Sequence, residues 1–233
     1  AGNNVFNIKR IDSKTSWEAA LKGVDVVIHC ASKLEKLKSD SKDINNSYEE
    51  INFKGTKRLA EESVKYGVKR FILLSSIKVN GEFTQEGVPF ESNSIVNPKG
   101  PYAISKLKAE NELKSISKAS QMDYVIVRSP LVYGPGVKSN FYNLMKIVNL
   151  KIPLPLLSVK NRRSILFIGN LVEFLSLSID SPLASNKLFL VSDLIAVSTP
   201  ELIKLIANAF NLKANLIYLP NVFLRIGSIL IRK

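Results

Sequence analysis

Apolar positions along the chain follow two alternating rhythms. Short continuous apolar runs cover residues 24–30, 70–75 and 123–128. Runs of this kind mark strands buried on both faces, as in a parallel sheet. Between them, apolar residues recur at helical spacing over residues 17–21, 48–66 and 101–119. Gly23 and Gly67 stand just past two of these segments as helix stops, and Thr15 or Ser16 as a cap before the first. Residues 5–11 also read as a strand. Strands alternating with helices predict a parallel sheet with helices on both faces. Right-handed crossovers then bring the strand C-termini, including Ser76 and Pro130, to one edge, where ligands bind in open α/β sheets.

Beyond Gly136 the spacing loosens. Helical patterns at 141–150, 171–179 and 200–210 alternate with strand candidates at 165–168, 188–191 and 216–219. The expected organisation is a strand-helix domain over 1–135 and a smaller, mainly substrate-covering region over 136–233. The segment 221–233 reads as a packing helix, with a membrane-surface element as the alternative.

Composition narrows the function classes. One cysteine, Cys30, rules out an internal disulfide and fits a reducing cytoplasm. Cys30 is expected in the core, and His29 is expected to be packed at a strand end. A single histidine without a Cys/His cluster speaks against a structural metal. No apolar run reaches the length of a membrane span. The net charge of +13 reads as suited to anionic small molecules or as plain surface charge. Nucleic acid is not expected, because Lys54, Lys57 and Lys65 lie beside Glu61 and Glu62 as on a solvated helix face, and no nucleic-acid motif appears.

The chemistry is concentrated in Ser76, Tyr102 and Lys106. Tyr102 and Lys106 stand at i and i+4 of one helix, so phenol and ammonium share a face. A nearby ammonium is expected to lower the tyrosine pKa, and a strand-end serine to bond the same reacting oxygen. Such a set suits proton transfer during oxidation of an alcohol or reduction of a ketone. Tyr142 and Lys146 repeat the spacing, but no strand-end serine precedes them.

These residues, with others in order, resemble the extended short-chain dehydrogenase/reductases, in particular the NAD-dependent nucleotide-sugar epimerase/dehydratase family. Asp25 to Ser32 looks like the family's fourth strand, ending in His-x-Ala. Asn52-Phe53-Lys54-Gly55-Thr56 is similar to its Asn-x-x-Gly-Thr motif, and Phe71 to Gly81 resembles the strand and loop bearing the catalytic serine. The resemblance implies Ser76, Tyr102 and Lys106 as the catalytic set. It implies cofactor contacts at Asp12, Ala31, Asn52, Tyr102, Lys106 and Pro130, and substrate contacts at Ser76, Asn140 and Arg163. Asp12 reads equally as a turn residue, and Arg162 as the solvent-facing neighbour of Arg163. Leu131 departs from an asparagine common in family epimerases.

The implied fold is Rossmann-like with strand order 3-2-1-4-5-6. The first two strands and the glycine-rich phosphate loop would precede Ala1, which reads as a fragment lacking also the C-terminal end. The implied activity of the intact protein is epimerisation at carbon 4 of a UDP-linked hexose through a 4-keto intermediate, with NAD or alternatively NADP. A 4-keto reductase of a deoxyhexose, and a truncated cofactor-binding module without catalysis, are the other readings. The resemblance points to surface-polysaccharide precursor synthesis, a nucleotide-sugar substrate, no integral membrane span, and admits a homodimer.

Overall fold

The structure, a computed structural model, describes residues 4–8, 10–34 and 46–220. The expected helix over 221–233 lies outside them. The chain forms two units, Ala1–Pro130 with Leu171–Val191, and Leu131–Asn170 with Ser192–Lys233.

The first unit is built on β1 (Val26–His29), β2 (Arg70–Ser76), β3 (Asp123–Ser129) and a late strand, β6 (Lys187–Leu190). They lie in the order β1-β2-β3-β6, every pair parallel. Phe71, Ile72, Leu73 and Val125 to Val127 are completely buried, as their continuous apolar runs predict. β1 departs from that expectation. Its only partner among the described residues is β2, and on this edge Ile28 is 40% exposed. Cys30, just past the strand end, is exposed rather than in the core.

The helices are α1 (Glu18–Leu21), a π-helical segment Glu49–Gly55 running directly into α2 (Thr56–Lys65), and α3 (Gly100–Lys118). Their apolar sides bury Trp17, Leu21, Leu59, Ala60, Ala109 and Leu113 against Phe71, Leu73 and Ile126 of the sheet. On the other parity of β2, Arg70 donates to the carbonyls of Ser178, Ile179 and Ser181, each at 2.9 Å. These belong to the end of a further helix, Ile168–Asp180, whose orphan carbonyls a guanidinium caps well. The same guanidinium pairs with Asp123 at 3.0 Å.

Residues 5–11 do not form a strand: among the described residues they have no ladder partner, Val5 is 91% exposed, and only Ile8 and Ile11 pack on the core. Gly55 is where this segment comes close. A Cβ there would stand 2.8 Å from Ile11 Cγ2 and 3.3 Å from the Asp12 amide, so only glycine admits the approach.

The second unit pairs β4 (Leu131–Tyr133) with β5 (Ile165–Phe167) and packs α4 (Ser139–Asn149) against a last helix, Thr199–Ala209. Phe141, Val148, Ile203, Ile206 and Ala207 form its core. Thr199–Ala209 starts from a capping box in which Ser198 and Glu201 satisfy each other's backbone amides. The strand expected at 216–219 is reduced to one bridge, Leu154 to Leu216. Pro153 and Pro155 flank Leu154 and have no N–H to extend the ladder.

Candidate active site

Ser76 ends β2, and its hydroxyl accepts from Lys78 N at 3.3 Å as the chain turns into a short 3-10 segment, Ile77–Val79. Pro101 at the start of α3 fixes the entry of the helix that carries Tyr102 and Lys106. The helical spacing brings both side chains inward. The Ser32 and Ser76 hydroxyls both act on the Tyr102 phenol so as to favour its ionised form. Its ring meets that of Tyr48 edge-on, centroids 6.1 Å apart. Lys106, 1% exposed, donates from Nζ to Leu74 O at 2.7 Å. Ser76, Tyr102 and Lys106 are thus gathered at the C-terminal end of β2.

Their electrostatics differ from expectation in one respect. The Tyr102 pKa is raised, not lowered: burial outweighs the two hydroxyls that favour phenolate, and Tyr48 adds to the rise. Lys106 pays for its own burial, its pKa falling from 10.5 to about 8, with Glu110 opposing the fall. Behind it, His29 is brought down to about 3 by burial and by Lys106. His29 is therefore neutral at physiological pH, and Nε2 lies 3.0 Å from Thr56 Oγ1. Thr56 already donates to Asn52 O at 2.7 Å, so His29 Nε2 carries the proton. This histidine is packed and paired, as a strand-end residue should be.

Two arrangements escaped the sequence reading. The first is a buried ion pair: Arg128 Nη2 donates to Glu110 Oε2 at 2.6 Å and Nε to Oε1 at 3.0 Å, with 2% and 0% of the two residues exposed. Ser75 Oγ donates to the same carboxylate at 2.5 Å, and Arg128 Nη1 to Asn80 Oδ1 at 2.9 Å. The network ties β2, the turn after it, α3 and β3 together beneath Ser76 and Lys106. A charge in the apolar run of β3 and a glutamate four residues past Lys106 were the available signals.

The second centres on Asn52. Its Oδ1 accepts from Lys33 N at 2.7 Å and Ser32 Oγ at 3.3 Å. Its Nδ2 donates to Lys33 O at 3.1 Å and Ser105 Oγ at 3.2 Å. All four hydrogen-bonding positions of the amide are taken within the protein. Asn52 therefore acts as a clamp between the β1 end and α3.

The other expected contacts are dispersed. Asp12 lines a cavity of about 700 Å³ with Arg10, Lys14, Glu50 and Lys54, and its carboxylate holds its own turn through Lys14 N and Arg10. Ala31 is exposed beyond β1, and Pro130 is half-buried after β3. Asn140 and Arg163 lie in the second unit, both exposed. Arg163 exchanges backbone hydrogen bonds with Val197, while Arg162 Nη2 donates to Ala196 O at 3.0 Å. Among the described residues there is no group of histidine, cysteine and carboxylate side chains that could hold a metal. No helix among them is long and apolar enough to cross a membrane.

The chain has relatives among known proteins. The UDP-glucose 4-epimerase of Vibrio cholerae is 43% identical over 208 residues, which are 89% of this chain and 63% of that protein. N-acetyl-alpha-D-glucosaminyl-diphospho-ditrans,octacis-undecaprenol 4-epimerase of Escherichia coli O157:H7 is 26% identical, covering 92% of this chain and 69% of its own length. Among solved structures, UDP-glucuronic acid 4-epimerase from Bacillus cereus in complex with NAD superposes with a TM-score of 0.76 at 21% identity, covering 88% of this chain and 66% of that one. The chain thus spans under two thirds of the Vibrio cholerae relative's length. The NAD dependent epimerase/dehydratase family model matches residues 4–191, the range within which Ser76, Tyr102 and Lys106 fall, and the chain belongs to that family.

Proposed function

We propose that the whole protein epimerises carbon 4 of a UDP-linked hexose with NAD. The observation that carries the reading is the convergence of Ser76 and Tyr102 hydroxyls above a buried Lys106 ammonium at the strand ends. Similarity to the Vibrio cholerae enzyme supports the substrate class.

The residues fit the nicotinamide-ribose half of such a cofactor. Lys106 is almost wholly buried, yet only one hydrogen bond, to Leu74 O, is made by its three N–H donors among the described residues. A ribose diol supplies acceptors for the others. A bound NAD would supply the hydride acceptor, and then donor, for carbon 4. Tyr102 takes the proton of the 4-hydroxyl in the first half-reaction and returns it in the second. Ser76 holds the same sugar oxygen through both, and Lys106 supplies the positive charge that favours phenolate. The 4-keto sugar turns between the halves, so no net redox occurs.

Cofactor binding and catalysis by 1–135, and substrate binding mainly by 136–233 through Asn140 and Arg163, complete this reading. So do a cytoplasmic location and a homodimer. A 4-keto reductase would use Tyr102 only as an acid, and the raised phenol pKa is the observation on its side. Incubating the full-length protein with UDP-glucose and separating the products decides between them. Epimerisation yields UDP-galactose without consuming cofactor. Reduction instead requires a 4-keto sugar and oxidises NADH or NADPH stoichiometrically.

A further inference from the structure

The second unit differs from the first in how its charges are partnered. Among its described residues, 131–170 and 192–220, six lysines and two arginines stand against two carboxylates, Asp193 and Glu201, a net charge of +6. Neither carboxylate closes an ion pair. Asp193 accepts from Phe167 N, Asn170 Nδ2 and the Tyr133 hydroxyl, and Glu201 accepts from Ser198 N in its capping box. Every ion pair among the described residues lies in the first unit. The diphosphate of a sugar nucleotide would occupy only a few of the second unit's cations.

Several of these cations alternate with exposed apolar side chains. On α4, Tyr142, Lys146 and Leu150 follow one another at helical spacing, all exposed, with Lys146 Nζ 4.6 Å over the Tyr142 ring. Leu150, 68% exposed, and Ile152, 45% exposed, flank Lys151, where the chain turns through a φ of 55°. The Lys151 carbonyl accepts from Asn215 Nδ2 at 3.0 Å, which joins this turn to the run 212–217. In that run Leu212, Ala214 and Leu216 pack on the core, while Lys213, Asn215 and Ile217 alternate outward. Leu154 N donates to Asn215 O and Ile217 N to Leu154 O, each at 2.9 Å, and these bonds hold the run beside the turn. The surface so joined presents Leu150, Ile152 and Ile217 among Lys146, Lys151 and Lys213. The sequence past Pro220 has the same character: residues 221–233 hold three cations, no carboxylate and an apolar majority.

We propose that this surface of the second unit binds an anionic lipid bilayer at the level of its headgroups. An exposed aliphatic side chain gains by leaving water for the acyl boundary, and a lysine beside it reaches the phosphates while its stem lies on the apolar layer. Each lysine brought close to an anionic bilayer strengthens binding about fivefold. The excess of unpaired cations selects an anionic partner, and the three aliphatic side chains select one with an apolar layer beneath its charge. Nucleic acid would use the lysines alone, because Leu150, Ile152 and Ile217 offer no ring on which a base stacks. The inference is independent of the reaction at Tyr102.

The test is co-sedimentation of the full-length protein with vesicles of phosphatidylcholine, made with and without phosphatidylglycerol. The protein should sediment only with the vesicles that contain phosphatidylglycerol, and high salt should release most of it. Lys146→Gln combined with Lys213→Gln should weaken binding about ten- to thirtyfold. Leu150→Ser combined with Ile217→Ser should weaken it at least about tenfold, through loss of apolar area that leaves water. All four side chains are exposed, and an unchanged melting temperature checks that each variant keeps the fold. Absence of sedimentation with phosphatidylglycerol vesicles overturns the proposal, as does equal sedimentation with both kinds, whatever the variants do. Undiminished binding by the folded serine variant overturns it as well, since the contact would then be one of charge alone. Displacement from the vesicles by a single-stranded oligonucleotide at equal phosphate concentration would make nucleic acid the partner instead.

Discussion

Replacing Lys106 by methionine should remove activity and, at neutral pH, make the fold more stable. Lys106 is 1% exposed and its pKa drops from 10.5 to about 8. At 1.36 kcal/mol per pH unit, that fall corresponds to about 3 kcal/mol by which the buried charge opposes folding at pH 7. Methionine fills a similar volume without the charge, but it loses the bond to Leu74 O, a loss of about 1.5–3 kcal/mol for a charged donor. The expected net gain is about 1 kcal/mol, or roughly 2–4 °C in melting temperature. The pH dependence is the sharper readout. Between about pH 8 and 10.5 the unfolded chain keeps a proton on Lys106 that the folded chain has released, so the wild type gains stability from this group as pH rises. The stability difference should therefore move against Lys106→Met by about 2.5 kcal/mol between pH 7 and pH 10, turning its advantage into a deficit. Urea unfolding of both proteins at the two pH values, followed by circular dichroism, measures it. A mutant less stable than wild type by more than about 1 kcal/mol at pH 7, or a difference that ignores pH, would refute the reasoning.

Removing Arg128 leaves the Glu110 carboxylate buried without its partner. Arg128→Met should therefore lose about 3–5 kcal/mol in urea unfolding, and adding Glu110→Leu should recover much of it. Tyr102→Phe should lower turnover at least about a hundredfold, the scale of a positioned acid/base. Tyr142→Phe should leave turnover nearly unchanged, since that ring is 44% exposed with Lys146 over its face at 4.6 Å. Arg163→Leu should raise the dissociation constant of a nucleotide sugar roughly ten- to a hundredfold in ligand titrations, the scale of a charge-assisted bond to phosphate. Arg162→Leu should do much less, because its guanidinium is spent on Ala196 O.

The parts that sequence exposes best are those set by local period. Buried runs gave β2 and β3 within a residue, and the i, i+4 rule put Tyr102 and Lys106 on one face of α3. What it hides depends on partners distant in the chain. The run 24–30 reads as fully buried, but burial of a strand needs neighbours on both sides, and β1 has one among the described residues. The lowered pKa expected of Tyr102 follows from helical spacing. The Lys106 ammonium, however, is aimed at Leu74 O, and burial of the phenol prevails. Asn52 is legible as a motif residue, whereas its use of all four hydrogen bonds within the protein depends on a loop nineteen residues away and a helix beyond. The return of Leu171–Val191 to the first unit leaves no local mark either.

The central claim is hydride removal and return at carbon 4, with Tyr102 moving only the hydroxyl proton. Incubating the full-length protein with UDP-glucose in deuterium oxide, and reading the product by proton nuclear magnetic resonance, tests it most directly. The account predicts UDP-galactose whose carbon 4 keeps its original hydrogen, with no deuterium there and none of this product in Tyr102→Phe at matched times. Deuterium at carbon 4 would show that a proton, not a hydride, leaves that carbon, and would contradict the mechanism. Absence of any epimer from a folded, NAD-supplied wild-type protein would contradict the function.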